Sequence, residues 1–180
     1  MVETAATGAG VPKIDFVLGG ARSGKTRLAL ARAEASGCAP VYVATATAGD
    51  AEMAARVAAH QAERGPIWST VEEPLELTEA LARRAAPGRI LLVDCLTLWL
   101  SNLMFAERDI EAETARLTMG LSRLAGPVIL VSNEVGLGIV PDNALARTFR
   151  DDQGRLNQAV AALADRVTFV AAGLPLLLKG

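Results

Sequence analysis

Residues Gly19-Gly20-Ala21-Arg22-Ser23-Gly24-Lys25-Thr26 match the spacing G-x-x-x-x-G-K-[ST], with a short apolar run before them and a helical pattern after them. In that context the glycines let consecutive backbone N–H groups turn inward around phosphate oxygens. The following helix start adds partial positive charge. Lys25 supplies a point charge for the β- and γ-phosphates and Thr26 a hydroxyl ligand for Mg²⁺. Lys25 is one of only three lysines, so composition alone does not account for its position. Asp94 ends the apolar run Ile90-Leu91-Leu92-Val93, where a second carboxylate would approach the metal or its water. Without the phosphate loop, the same Asp94 would read equally well as a turn former or helix cap.

His60 is the sole histidine. It shares the spacing of Glu52, Arg56 and Arg64, a polar stripe of i,i+4 neighbours that a solvated helix face also produces. Its chemistry would be different if the helix faced the nucleotide. A neutral imidazole nitrogen can act as a base, or attack phosphorus to form a phosphoramidate reactive enough to pass the group on.

These residues need a scaffold that collects them, and the pattern supplies one. Short apolar runs at 14–18, 40–45, 89–94, 128–132 and 166–171 read as buried strands. Ala-, Leu-, Glu- and Arg-rich stretches at 25–36, 50–64, 74–86, 110–124 and 141–164 read as helices. Continuous rather than alternating apolarity implies a sheet covered on both faces, hence an α/β, doubly wound, mostly parallel fold. Ligands in such sheets bind beyond the carboxyl ends of the strands, where the phosphate loop, Ala44-Thr45-Ala46 and Asp94 all fall. Gly136, Gly138 and Pro141 mark a turn-rich loop after the fourth of these strands, and it carries Asn133 and Glu134 in a position suited to substrate. Trp68 suits either stacking or core packing, and Arg147, Arg150 and Arg155 either phosphate contact or a solvated helix face.

With 180 residues, 51% of them hydrophobic and 21% charged, the chain has enough apolar surface for one core and too little charge for disorder. Residues 13–180 read as a single domain and 1–12 as a loose tail lacking the basic and apolar regions of a signal peptide. The apolar stretch 90–105 is interrupted by Asp94 and falls short of the ~20 residues of a membrane helix. A cytoplasmic location is the expectation. A net charge of -2 and 4% aromatic residues offer neither a field nor a stacking platform for nucleic acid. Cys38 and Cys95 lack metal-ligand or disulfide-framework spacing.

The phosphate loop, Tyr42-Val43-Ala44-Thr45-Ala46, Glu52-Met53-Ala54-Ala55-Arg56-Val57, His60, Trp68, Val93-Asp94-Cys95-Leu96-Thr97, Asn102-Leu103 and Ser132-Asn133-Glu134-Val135-Gly136-Leu137-Gly138-Ile139-Val140-Pro141 together carry a resemblance. Phe149-Arg150-Asp151 and Gly154-Arg155-Leu156-Asn157-Gln158 extend it. The chain resembles the bifunctional adenosylcobinamide kinase and adenosylcobinamide-phosphate guanylyltransferase family of cobalamin biosynthesis, from about Ile14 onward. That resemblance implies a RecA-like P-loop fold and two reactions. In the first, ATP or GTP phosphorylates the aminopropanol hydroxyl of adenosylcobinamide. In the second, GMP passes from GTP to adenosylcobinamide phosphate with release of pyrophosphate. It maps the family's guanylylated histidine to His60, and its nucleotide contacts to Gly19 through Thr26, Ala44, Thr45, Ala46, Gln61, Ala62, Glu63, Arg64, Glu72 and Asp94. It also implies a homotrimer. Two departures stand out: Ala59 precedes His60 where some relatives carry a second histidine, and Ala46 replaces a serine hydroxyl.

Two rival readings make different demands. A plain small-molecule kinase needs the phosphate loop but not His60, so covalent labelling by GMP separates it from the bifunctional reading. A RecA-like module acting on nucleic acid would bind single strands at low salt.

Overall fold

The strand β1 (Ile14–Gly19) carries the chain up the centre of a seven-stranded sheet and delivers it into the phosphate loop. The computed structural model describes residues 10–46 and 65–180, so the tail before residue 10 and the expected helix at 50–64, with His60, lie outside the described residues. After the loop, α1 (Lys25–Glu34) returns across one face to β2 (Ala39–Ala44). Then follow β3 (Ser69–Glu72), α2 (Leu77–Arg84), β4 (Arg89–Asp94), α3 (Leu96–Phe105) and α4 (Ile110–Ser122). The chain ends with β5 (Val128–Asn133), α5 (Ala144–Leu163), β6 (Arg166–Ala171) and β7 (Leu174–Lys179).

The sheet order is β3-β2-β4-β5-β1-β6-β7, parallel throughout except for β7. Crossovers of tens of residues make the parallel pairs. Ala172 (φ 52°) and Gly173 (φ 80°) instead form a two-residue turn, too short for a crossover, so β7 runs back against β6.

Both faces are covered, as continuous strand apolarity requires. On one face Val17, Tyr42, Leu92, Ile129 and Val131 pack under α1, whose Ala29 and Ala33 are small enough for close approach. On the other, Phe16, Val43, Leu91, Val93 and Leu130 meet leucines of α2 to α5, with Trp99 fully buried. Trp99 keeps its indole Nε1 satisfied by donating to the Leu75 carbonyl at 2.9 Å.

Four elements differ from the sequence expectation. The stretch 90–105 divides at Asp94 into β4 and the separate helix α3, which is apolar on nearly every side because it is buried between sheet and helices. β3 is short and polar because it is an edge strand, and β7 follows β6 where no strand was expected. The expected helix at 74–86 starts only at Leu77, because Glu73 Oε1 accepts from the Leu75 and Glu76 amides at 3.2 and 2.8 Å and holds the preceding turn. Among the described residues, no helix is long and apolar enough to cross a membrane.

Gly19 is where packing tolerates least. A Cβ there would lie 2.3 Å from the Val170 carbonyl oxygen and 2.8 Å from Ser23 Oγ. Gly19→Ala is therefore expected to lower stability by roughly 2 kcal/mol, read as a reduced urea midpoint at unchanged m-value, and to weaken nucleotide binding.

Candidate active site

The phosphate loop is built by backbone geometry. Arg22 (φ 54°) and Gly24 (φ 94°) take left-handed conformations that wrap residues 20–24, and the Ser23 amide donates to the Gly20 carbonyl at 3.3 Å. The β6–β7 turn braces the loop from outside: the Gly173 amide donates to the Ser23 carbonyl at 2.8 Å. A Cβ on Gly24 would lie 3.3 Å from Gly173 Cα. Ala21 and Arg22 are exposed at the rim, Gly20 is half-buried, and Ser23 is buried with no partner for its Oγ among the described residues. A polar atom in that condition inside a tightly wrapped, glycine-rich loop suits a phosphate ligand.

Lys25 opens α1, is buried, and donates from Nζ to the Gly20 carbonyl at 3.0 Å, folding back over the loop it serves. Burial lowers its pKa from the ordinary lysine value, while Cys95 and Asp94 oppose that shift. The Cys95 thiol is pushed up to about 11, first by burial and then by Asp94, so it stays protonated at neutral pH. Lys25 and Asp94 thus belong to one electrostatic site. Asp94 is half-buried and accepts from Tyr42 Oη at 2.8 Å. Thr26, beside Lys25 in the first turn of α1, is half-buried.

Ala44 is in register with Asp94 on one side and Glu72 on the other, so these three form one row across the strand ends. Glu72, exposed on the edge strand β3, is four strand spacings from β1, about 19 Å. It is too far to share a phosphate with Lys25. Thr45 is fully buried, and its Oγ1 donates to the Cys95 carbonyl (2.7 Å) and accepts from the Cys95 amide (2.9 Å). That hydroxyl builds the site by tying the end of β2 to the end of β4. Ala46 is half-buried, and Gln61, Ala62, Glu63 and Arg64 fall outside the described residues together with His60.

Trp68 packs edge-on against Tyr42, with centroids 6.2 Å apart, and donates from Nε1 to Glu34 Oε1 at 2.9 Å. Arg147 donates to the Pro141 and Asp142 carbonyls, while Arg150 and Arg155 pair with Asp151 and Asp152. These arginines secure α5 and its lead-in. Glu134 accepts from the Gly136 amide at 2.5 Å and so folds onto its own loop. That loop exposes Leu137 and Ile139, 82% and 98%, consistent with a surface that meets an apolar molecule.

A buried polar group with no individual motif stands behind β5. Ser132 Oγ donates to Asn157 Oδ1 at 2.7 Å, and Gln153 Nε2 donates to both atoms at 3.0 Å. Thr97 Oγ1 accepts from the Asn133 amide at 2.8 Å, and Asn157 Nδ2 donates to the Asn133 carbonyl at 3.2 Å.

Comparison with known proteins agrees with this construction. The family model for cobinamide kinase / cobinamide phosphate guanyltransferase matches residues 15–178. A bifunctional adenosylcobalamin biosynthesis protein, CobP, from Pseudomonas aeruginosa is 52% identical over 168 residues, covering 92% of this chain and 97% of that protein. The corresponding CobU protein of Salmonella typhimurium is 41% identical over 181 residues, covering 91% and 98%. Among solved structures, the RadB recombinase matches with a TM-score of 0.54 at 18% identity, covering 90% of this chain and 76% of that one. Flagellar accessory protein FlaH from Methanocaldococcus jannaschii matches at 0.56 and 12%, covering 96% and 81%. These two likenesses concern the fold, which is RecA-like.

Proposed function

The chain belongs to the cobinamide kinase / cobinamide phosphate guanyltransferase family, and from that membership we propose that one phosphate cradle serves two successive transfers in cobalamin biosynthesis. In the first, ATP or GTP phosphorylates the aminopropanol hydroxyl of adenosylcobinamide. In the second, GMP passes from GTP to adenosylcobinamide phosphate, and pyrophosphate leaves. The observation that carries the reading is a phosphate loop between β1 and α1, with Lys25 buried and folded back onto the Gly20 carbonyl, within a chain the family model matches over residues 15–178.

The two reactions break bonds to different phosphorus atoms, yet negative charge develops on β-phosphate oxygens in both. Lys25 and the backbone amides of the loop left unpaired within it stabilise that charge in either case, by preorganised electrostatics rather than by proton donation. The distinction then lies in the nucleophile. The substrate hydroxyl attacks the γ-phosphorus; His60 attacks the α-phosphorus to give a GMP-histidine that adenosylcobinamide phosphate resolves. The Thr26 hydroxyl and Asp94 carboxylate are hard oxygen donors of the kind Mg²⁺ takes alongside substrate phosphates, and they would hold the ion. When bound, Mg²⁺ supplies charge neutralisation at the transferring phosphates.

We further propose a single catalytic domain over residues 13–180, acting in the cytoplasm where nucleoside triphosphates are available, and a homotrimeric assembly. Supporting an assembly, all six residues of the edge strand β7 are exposed and four of them are leucines. The test of function uses purified protein with Mg²⁺. Adenosylcobinamide should acquire label from γ-labelled ATP, and the protein should acquire acid-labile label from α-labelled GTP. Phosphorylation without protein-bound GMP would reduce the reading to a plain kinase.

A further inference from the structure

Asn133 is the last residue of β5, and β5 lies between β1, which carries the phosphate loop, and β4, which ends in Asp94. Any group held jointly by the loop and by Asp94 must pass over the end of β5. Asn133 is in register with Gly19, and the next amide, Glu134 N, donates to the Gly19 carbonyl at 3.1 Å. Strand alternation places Asn133 on the face of Val131, the face covered by α1. Its Oδ1 is buried and has no hydrogen-bond partner among the described residues.

The surroundings hold this residue still. Its amide donates to Thr97 and its carbonyl accepts from Asn157; on the opposite face of the sheet Thr97 meets Ser132, and Asn157 meets Ser132 and Gln153. Ser132 and Gln153 are fully buried. Burying four polar side chains behind a strand end is unfavourable unless each is paired, and apolar residues would close that end at lower cost. An unmet buried acceptor on the clamped residue adds to that cost, unless a ligand donates to it.

We propose that Asn133 is a catalytic residue of the phosphoryl-transfer step, resting on the kinase reading above. Its Oδ1 accepts a hydrogen bond from the incoming substrate hydroxyl while its Nδ2 donates to a γ-phosphoryl oxygen. The carboxamide so aligns nucleophile and phosphorus. As the new O–P bond forms, the bond from the γ-phosphorus to the β–γ bridging oxygen breaks, and its electron pair leaves on the nucleoside diphosphate. The hydroxyl proton passes to a phosphoryl oxygen, because a carboxamide does not take it up. Thr97 acts through Asn133 as a positioning residue.

The experiment compares wild type, Asn133→Ala, Thr97→Val and Thr97→Ser in steady-state phosphorylation of adenosylcobinamide, alongside calorimetric ATP affinity and covalent GMP loading. Asn133→Ala should lower kinase kcat by about a hundredfold, with ATP affinity changed less than threefold and GMP loading falling less than fivefold. Thr97→Val should lower kcat by about tenfold at similar KM for ATP, and Thr97→Ser, which keeps the hydroxyl, should restore most of it. Kinase turnover of Asn133→Ala within threefold of wild type overturns the assignment, as does a parallel loss of ATP affinity, kinase turnover and GMP loading. Wild-type protein that phosphorylates no adenosylcobinamide would instead overturn the functional reading, and this assignment with it.

Discussion

Lys25→Ala should lose at least a thousandfold in kcat/KM for phosphorylation and for guanylyl transfer alike, about 4 kcal/mol of transition-state stabilisation in each. The magnitude follows from where the ammonium lies. Lys25 is buried, its Nζ held 3.0 Å from the Gly20 carbonyl, and burial lowers its pKa. A charge kept in a low-dielectric cradle acts strongly on phosphate oxygens and needs little reorganisation as they gain charge. Lys25→Arg should rescue poorly, because a planar guanidinium does not replace a compact ammonium inside a loop of this size. The fold should persist in the alanine variant, since removing a partly desolvated ammonium relieves an unfavourable term. Initial rates of the two half-reactions, with a thermal melt as control, check this. Loss of one reaction with the other within tenfold would show that the two do not share the cradle.

The second large effect concerns His60. His60→Ala should abolish guanylyl transfer, by at least a thousandfold, while kinase turnover stays within about threefold of wild type. In the proposed step an imidazole nitrogen bonds to the α-phosphorus, and the bond to the α–β bridging oxygen breaks with its electron pair on pyrophosphate. Adenosylcobinamide phosphate then displaces the histidine through a phosphate oxygen. Nothing in γ-phosphoryl transfer calls on that imidazole. Protein denatured after incubation with α-labelled GTP and digested should carry acid-labile label on the His60 peptide alone. Label retained by His60→Ala under those conditions would remove the covalent route.

How far residues announced their roles depended on the kind of interaction each makes. β1, β4, β5 and β6 were legible because each is a central strand covered on both faces, so its apolar run is continuous. β3 carries no such run, because Ser69 and Thr70 are exposed at the sheet edge. β7 has the apolar residues but contains Pro175, which argues against a strand except at an edge, where it proves to lie. α3 lacked a helical stripe because burial on several sides makes its sequence apolar almost throughout.

The phosphate loop is legible in the sequence, because phosphate binding demands glycines, a cation and a hydroxyl within a few consecutive residues, and chain connectivity preserves that spacing in the fold. The clamp on Asn133 is not, because Thr97, Ser132, Gln153 and Asn157 come from three different elements, and each taken alone is an ordinary polar residue. Likewise, nothing local to Thr45 indicates that its hydroxyl pins Cys95, or that Glu72 ends four strands from Lys25. Local chemistry is encoded in adjacent residues. The distances between separate pieces of it arise only when strand order and burial bring distant segments together, because hydrogen bonds and dispersion act over a few ångströms in space, whatever the separation along the chain.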